Sequence, residues 1–547
     1  MWTGTFMRAA PHKVQVPMYF LLNRDTDFMD GGCMAAAWLK DAVFYEIYPQ
    51  SFCDSNGDGI GDINGIISKL DYIKDLGCNA LWINPCFDSP FKDAGYDVRD
   101  YKKVAPRYGS NEDLYRLFDE AHARGIHVLL DLVPGHTSEE HAWFRESQKE
   151  ERNEYSDRYI WTDFWLHGAS GMPYIGGESE RNACYVLNFF KCQPALNYGF
   201  LHPTESWQFS MNHPEPLKTR EAMKDVMRFW LSHGCDGFRV DMANSLVKGD
   251  DENKTGTSLI WRDVRRMLDL EFPNAAMVAE WSAPKLALRA GFDMDFYLNY
   301  GGVNGYCTLM RDYYYDEKHN ASYFKKDSGG NINRFLGQYL DWYEDTKDLG
   351  YISLLTCNHD TTRPRFGLDP DELKLAYAFI FTMPGVPFLY YGDEIGMRFL
   401  DVPTKEGGYT RTGSRTPMQW NMGKNLGFSE ADEKDIYLPV DGSEDAPTVA
   451  VQLEDPDSLL NTVKAVLSLR HQEEDLQADA PFCVVCSEPG KPFVYKRGAL
   501  LLAVNPNSDE VSLDLPGESG TNLFRIGGGD LRNGNLTVGP QSFLVFR

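Results

Sequence analysis

The chain has 547 residues, past the size at which one hydrophobic core stops growing, so two or three domains are expected. With 43% hydrophobic and 24% charged residues it has the composition of an ordinary water-soluble globular protein. Its 80 Asp and Glu against 54 Lys and Arg leave a formal charge of −26, which argues against nucleic acid and anionic membrane surfaces as partners and leaves neutral ligands open.

Residues 1–37 read as an N-terminal extension, expected to be disordered. Their apolar run, 16–22, is short and lacks a small-residue cleavage site, so no targeting segment is assigned. From Trp38 onward, short β-rich apolar runs alternate with amphipathic helical stretches. The strand candidates are 43–49, 80–84, 127–133, 237–243, 276–281, 292–298, 352–357 and 387–391. Helical patterns cover 66–76, 111–124, 216–233, 258–272 and 333–347. Continuous apolar runs suit strands buried on both faces, and long crossovers suit parallel pairing. Eight such units predict an α/β fold, a closed (β/α)8 TIM barrel over 38–135 and 216–476, with functional residues just past the C-terminal strand ends.

Three stretches depart from that rhythm. Residues 136–215 hold no clear long helix but many aromatic, Gly and Asn residues, and read as a small inserted domain after the third strand. The uncharged stretch 375–391 nearly reaches the length of a membrane span. It carries Pro384, Gly385 and Pro387, and reads instead as a buried helix, a tight turn and a buried strand. Residues 477–547 switch to short alternating runs, 493–496, 500–504 and 541–546, as in a small antiparallel β domain or sandwich. Eleven irregularly spaced cysteines do not look like a secreted disulfide framework, so reduced thiols and a cytoplasmic location are expected. Cys483 and Cys486 lack the second pair or His cluster that zinc would need.

The polar residues at the strand ends carry the chemistry. Asp131 and His136 end the third strand, in Asp131-Leu-Val-Pro-Gly-His136. Arg239 and Asp241 end the fourth; two apart on a strand, they face the same way, so the guanidinium should hold the carboxylate ionised. Glu280, beside Trp281, ends the fifth strand, and His359 and Asp360 end the seventh. Singly, each has a dull explanation as a helix cap or a structural histidine. Together they share one rim of one barrel. A retaining glycosidase needs such a set: an ionised nucleophile and a protonated carboxylic acid about 5 Å apart.

These four segments resemble the signature regions of the α-amylase family, in their usual order, from about Trp38 to the C-terminus. The resemblance implies Asp241 as nucleophile, Glu280 as general acid/base and Asp360 as transition-state stabiliser, with His136, Arg239 and His359 lining the same subsite. Asp93 and Tyr96, in Asp93-Ala-Gly-Tyr-Asp97, match the family segment that supplies a hydrogen bond and a stacking platform for the terminal glucose. Arg415, in Ser414-Arg-Thr-Pro-Met-Gln-Trp420, resembles the first-subsite Arg of the oligo-1,6-glucosidase, sucrose-processing and trehalose-synthase relatives. Gln193-Pro-Ala-Leu-Asn197 resembles their inserted-domain motif, with Ala195 in place of a usual Asp. After the nucleophile these relatives often carry Val with α-1,6 and Ala with α-1,4 activity. Here Met242 stands there, and the linkage stays open.

A cation loop precedes this rim. Asp54, Asn56, Asp58, the Ile60 carbonyl and Asp62 place oxygen atoms at alternate positions of a Gly-rich turn, but position twelve is Gly65, not the bidentate Glu of an EF-hand. Similarity to the calcium loop of oligo-1,6-glucosidase relatives implies a structural Ca²⁺, with Mg²⁺ as the other candidate. A metal-free loop closed by its own hydrogen bonds is the alternative to that expectation. The expectation is an exo-acting α-glucosidase on short soluble α-glucosides. The alternative is a transglycosylase or isomerase with the same covalent intermediate: a 4-α-glucanotransferase, trehalose synthase or sucrose-acting enzyme.

Overall fold

The structure, a computed structural model, describes residues 35–298, 305–311, 320–407 and 411–547. Most of the N-terminal extension, 1–34, lies outside the described residues. Eight strands form one parallel sheet: β1 (Phe44–Ile47), β2 (Ala80–Ile83), β3 (His127–Leu132), β4 (Gly237–Val240), β5 (Ala276–Ala279), β6 (Met294–Phe296), β7 (Tyr351–Ser353) and β8 (Phe388–Tyr390). Their order is β7-β6-β5-β4-β3-β2-β1-β8. A parallel bridge between Leu355 and Phe388 brings the two ends together, with Phe388 N–H donating to the Leu354 carbonyl at 2.9 Å. Each strand overlaps one of the eight apolar runs read from the sequence.

Those runs are continuous because both faces are covered. Phe44, Ala80, Trp82, Leu129, Val278, Phe296 and Phe388 form one buried cluster, and Trp82 stacks on Phe296 at 5.3 Å although β2 and β6 are not neighbours in the sheet. That cluster fills the barrel. The alternate residues, such as Tyr45, Leu81, Leu130, Met277 and Leu389, belong to the outer core beneath the helices. Each such fully buried side chain contributes about 1.5–3 kcal/mol of transfer free energy. Gly237 at φ 146° is needed for close approach: a Cβ there would lie 2.0 Å from the Ala276 carbonyl of the next strand.

The crossover helices include α1 (Leu70–Leu76), α2 (Asn111–Ala123), α3 (Pro214–Ser232), α4 (Thr255–Glu271), α5 (Asn333–Thr346) and α6 (Pro370–Thr382), and α7 (Leu459–Gln472) follows the barrel. Capping boxes start α2 at Ser110 and Asp113 and α6 at Asp369 and Glu372. The helix expected over 66–76 is broken in two, Ile63–Ile67 and α1. The Ser68 hydroxyl takes the Gly65 carbonyl at 2.7 Å, and the Lys69 amide turns to Ile66 instead. Residues 375–391 form most of α6, a turn and β8, as read from the sequence. Among the described residues no helix is long and apolar enough to cross a membrane.

Between β3 and α3 the chain leaves the barrel and forms the short helix Ala142–Ser147 and an antiparallel pair, Tyr174–Gly176 with Cys184–Val186. The last 70 or so residues form two antiparallel sheets. One has five strands, β9 (Phe482–Cys486), β10 (Phe493–Arg497), β11 (Leu500–Asn505), β13 (Asn522–Ile526) and β16 (Ser542–Phe546); the other has β12 (Val511–Asp514), β14 (Gly529–Arg532) and β15 (Asn535–Val538). Val494, Leu501, Leu536, Val538 and Leu544 pack between them.

Two buried arginines, one in α7 and one in this unit, hold the end of α6. Arg470 of α7 donates to the carbonyls of Phe381 at 2.9 Å and Gly385 at 2.7 Å, and Arg497 of β10 donates to the carbonyl of Thr382. These carbonyls lie at the C-terminal end of α6 and in the turn to β8, where positive charge complements the helix dipole.

Candidate active site

The C-terminal rim of the barrel is built around Arg239. Its Nη1 lies 2.8 Å from Asp131 Oδ1 and 3.0 Å from Asp241 Oδ1, and its Nη2 lies 2.8 Å from Glu280 Oε2. One guanidinium thus faces three carboxyl groups, from the ends of β3, β4 and β5. The sequence reading paired it with Asp241 alone. Burial lifts Asp131 to about 6, against the pull of Arg239 and the Trp82 indole, whose N–H donates to Asp131 Oδ2 at 3.0 Å. Burial first, then the negative field of Glu280, push Asp241 well above the usual carboxylate range, with Arg239 opposing. One guanidinium thus does not offset the burial of Asp131 and Asp241, and both hold their protons to higher pH than a free carboxyl would.

Met242 has a part that its side chain did not announce. Its backbone sits in the left-handed region at φ 43°, which costs an unbranched residue of order 1 kcal/mol or more. The turn aims the Met242 amide at Glu280 Oε2, 3.0 Å away. Backbone strain next to Asp241 therefore positions Glu280.

A second cluster adjoins the first. The Tyr96 hydroxyl lies 3.0 Å from Asp131 Oδ2 and 2.7 Å from His359 Nε2, with its ring stacked on the imidazole at 5.3 Å. His359 Nδ1 meets Glu46 Oε1 at 2.9 Å, and Nε2 lies 3.3 Å from Asp360 Oδ2. Burial, outweighing the attraction of Asp360, pushes His359 well below the usual histidine range, so it is neutral. Asp360 is the more open member, its side chain 26% exposed. Its Oδ1 accepts from Arg411 Nη1 and Arg415 Nη2, both at 2.7 Å. Burial opposes its ionisation, but the charges of Arg411 and Arg415, with His359 in contact, outweigh it and hold the carboxyl far below the usual range.

Arg411 also donates to Asp93 Oδ1, and Gln193 Nε2 donates to Asp93 Oδ2 at 2.7 Å. Arg415 is fully buried, fixed by the His359 carbonyl and by Glu406, which also accepts from Tyr48 and Gln50. His136 joins through Nε2, 3.0 Å from the Tyr96 carbonyl. All ten residues expected at the rim therefore fall in one connected network. Sequence reasoning missed Glu46, Glu406 and above all Arg411. The signal for Arg411 was a second Arg four residues before Arg415.

The region that supplies these groups matches the family description "Alpha amylase, catalytic domain" over residues 46–479. The chain belongs to the α-amylase family. Among its relatives, the oligo-1,6-glucosidase of Heyndrickxia coagulans is 33% identical over 88% of this chain and 94% of that protein. The trehalose synthase/amylase of Mycolicibacterium smegmatis is 33% identical over 80% of this chain and 77% of that one. A crystal structure of an isomaltulose synthase variant from Erwinia rhapontici NX5 with sucrose superposes with a TM-score of 0.76 at 25% identity, covering 93% of this chain and 98% of that one. Both the α-amylase family barrel and the C-terminal sheets are thus accounted for.

The 54–62 loop lies on the β1–α1 connection. Asp54 Oδ1 accepts from the amides of Asn56 and Gly57, Asp54 Oδ2 from Gly59, Asn56 from Asp58, and Asp58 from Ile60, all at 2.7–3.0 Å. Asp62 caps the following helix at Gly65 and accepts from Ser55. The loop closes on its own hydrogen bonds. Among the described residues no group of three or more His, Cys, Asp or Glu side chains is arranged to hold a metal ion. The donor chemistry, all oxygen at alternate positions, still fits a hard cation.

Proposed function

We propose that the protein is a retaining enzyme acting on α-glucosidic bonds of short saccharides through a covalent glucosyl–Asp241 intermediate. The observation that carries this reading is the shared guanidinium: Arg239 contacts both Asp241 and Glu280, which also interact with each other, and such close carboxyls suit a retaining pair better than one with a water between them. Asp241 attacks the anomeric carbon while Glu280 gives its proton to the departing oxygen. Glu280, now a base, takes a proton from water, and the resulting hydroxide releases the sugar from Asp241 with net retention. Asp360, kept anionic by two arginines, accepts hydrogen bonds from sugar hydroxyls, and the neutral His359 and Tyr96 shape the wall beside it. Arg411 ties Asp93 to Asp360, the two carboxylates expected to hold the hydroxyls of a terminal glucose.

The similarity to a trehalose synthase and an isomaltulose synthase supports a second reading, in which another sugar replaces water as acceptor. Product analysis by chromatography separates the two. Maltose, isomaltose, maltotriose, sucrose and trehalose are each incubated with the protein and with its Asp241→Asn variant. Free glucose confined to the wild type establishes the hydrolase and reads the linkage that Met242 leaves open. New or longer sugars with little glucose establish transfer, and inertness toward all five overturns both.

Glu280→Gln is expected to lower kcat/KM on a disaccharide by about 10²–10⁴-fold. An aryl glucoside with an acidic phenol leaving group should lose far less, because it needs no protonation. Equal losses on both overturn the acid/base role.

We also propose that Asp54, Asn56, Asp58, the Ile60 carbonyl and Asp62 bind a structural Ca²⁺, with Mg²⁺ the weaker competitor. Millimolar Ca²⁺ is then expected to raise Tm over that in chelator, and Asp58→Ala to remove the increment. Identical melting curves with Ca²⁺ and with chelator overturn this proposal.

A further inference from the structure

Beside the nucleophile runs a chain of polar side chains that the mechanism above does not use. Gly135, between Pro134 and His136, has no side chain where one would collide: a Cβ there would lie 2.8 Å from Asn188 Nδ2. Into that space the inserted segment sends the Asn188 carboxamide. Its Nδ2 lies 3.1 Å from His136 Nδ1 and 3.8 Å from Met242 Sδ. Its Oδ1 accepts from Lys248 Nζ at 2.7 Å, and the same ammonium donates to the Ser245 carbonyl at 2.7 Å.

The donors and acceptors in this chain permit one arrangement. An ammonium has no lone pair, so the group facing Lys248 must be the Asn188 oxygen. The Asn188 NH₂ therefore faces His136 Nδ1, which must accept. On the other side of the ring the Tyr96 carbonyl can only accept, so Nε2 must carry the hydrogen. We propose that Lys248, acting through Asn188, is a positioning residue that locks His136 as the neutral Nε2–H tautomer in the sugar pocket.

Without the lock the carboxamide can turn over and offer its oxygen to Nδ1. A protonated imidazole would then donate to Asn188 and to Tyr96 at once, and nothing in the hydrogen bonding would oppose its charge. Burial first, opposed by the Tyr96 carbonyl, and then the charge of Lys248 hold His136 down to about 4. Burial and the charge of Lys254 bring Lys248 itself down to about 8, so it is an ammonium at pH 5–6, and Asp131 and the Arg239–Asp241–Glu280 set are the charged groups of the adjoining strand ends. The inference extends the glucosyl-pocket reading, but its first test needs no substrate.

That test is ¹⁵N NMR of histidine-labelled protein, with His136 assigned by its loss in His136→Gln. In the wild type His136 should show a neutral Nε2–H imidazole throughout pH 5–8. In Lys248→Met it should titrate upward, toward the ordinary value of about 6.5. In Asn188→Asp, whose carboxylate cannot donate, Nδ1 should carry a proton across the same window. Lys248→Arg should restore the wild-type pattern. A Lys248→Met variant that keeps the neutral Nε2–H signal at pH 5–6 overturns the proposal, as does Asn188→Asp doing so. On whichever α-glucoside the protein cleaves, Lys248→Met should raise KM about tenfold at pH 6, one hydrogen bond's worth, with a smaller change in kcat. An inactive wild type would remove the glucosidic reading while leaving the NMR result to decide the lock.

Discussion

Asp241→Asn is expected to reduce turnover by about 10⁴-fold or more, the scale on which enzymes lose activity when a covalent nucleophile is removed. The fold should survive. Asp241 is one of three carboxyls around a single buried guanidinium, so the amide relieves crowding of like charge while keeping shape and the capacity to accept from Arg239. A Tm equal to or above that of the wild type, together with loss of the glycosyl-enzyme on mass spectrometry, is the expected pair of results. Activity within tenfold of the wild type would remove Asp241 from the mechanism.

Arg239→Leu is expected to have the largest effect on stability. It leaves Asp131, Asp241 and Glu280 buried without a counter-ion, and removing one partner from a buried ionic set costs about 3–5 kcal/mol. The cost should depend on pH in a direction the wild type already shows. Asp131 is lifted to about 6 in the folded protein, above its unfolded value of about 3.9. Its contribution is therefore fully present below the unfolded value and lost as pH rises through about 6. Without Arg239 the carboxyls hold protons more tightly still. Urea titrations should show Arg239→Leu closest to the wild type near pH 5 and furthest from it at pH 8. A constant gap across that range would mean that the guanidinium acts by packing and not by charge.

The eight strands were legible because each is largely buried on both faces, which leaves a mostly apolar signature even where Glu46, Asp131, Arg239 and Asp295 interrupt it. The rim residues were legible because strand ends alternate and because their motifs are specific. What escaped came from contacts between distant segments. The hydrogen bond of Ser68 to the Gly65 carbonyl splits a helix whose apolar periodicity runs straight through. Arg411 reaches Asp93 across more than 300 positions, and Asn188 reaches His136 from the inserted segment. No periodicity encodes such a meeting. The charge at the site also differed from expectation: two residues on one strand predicted an Arg–Asp pair, whereas the neighbouring strands bring two further carboxyls to the same guanidinium. The Met242 backbone turn was invisible because the reading weighed only its thioether.

The arginines that grasp the turn before β8 bear on the order of assembly. The last barrel strand must pair with β1, some 340 residues earlier in the chain, and the turn that presents it is held by Arg470 and Arg497. A growing polypeptide that has just released β8 from the ribosome still lacks both guanidiniums, so the buried carbonyls of that turn have no protein donors from them. Firm closure of the barrel must then await synthesis of α7 and β10, and the unclosed intermediate exposes unpaired edges at β1 and β7 meanwhile. Helix α7 and the small C-terminal sheets, which supply one arginine each, thus act as the final latch of the folding sequence.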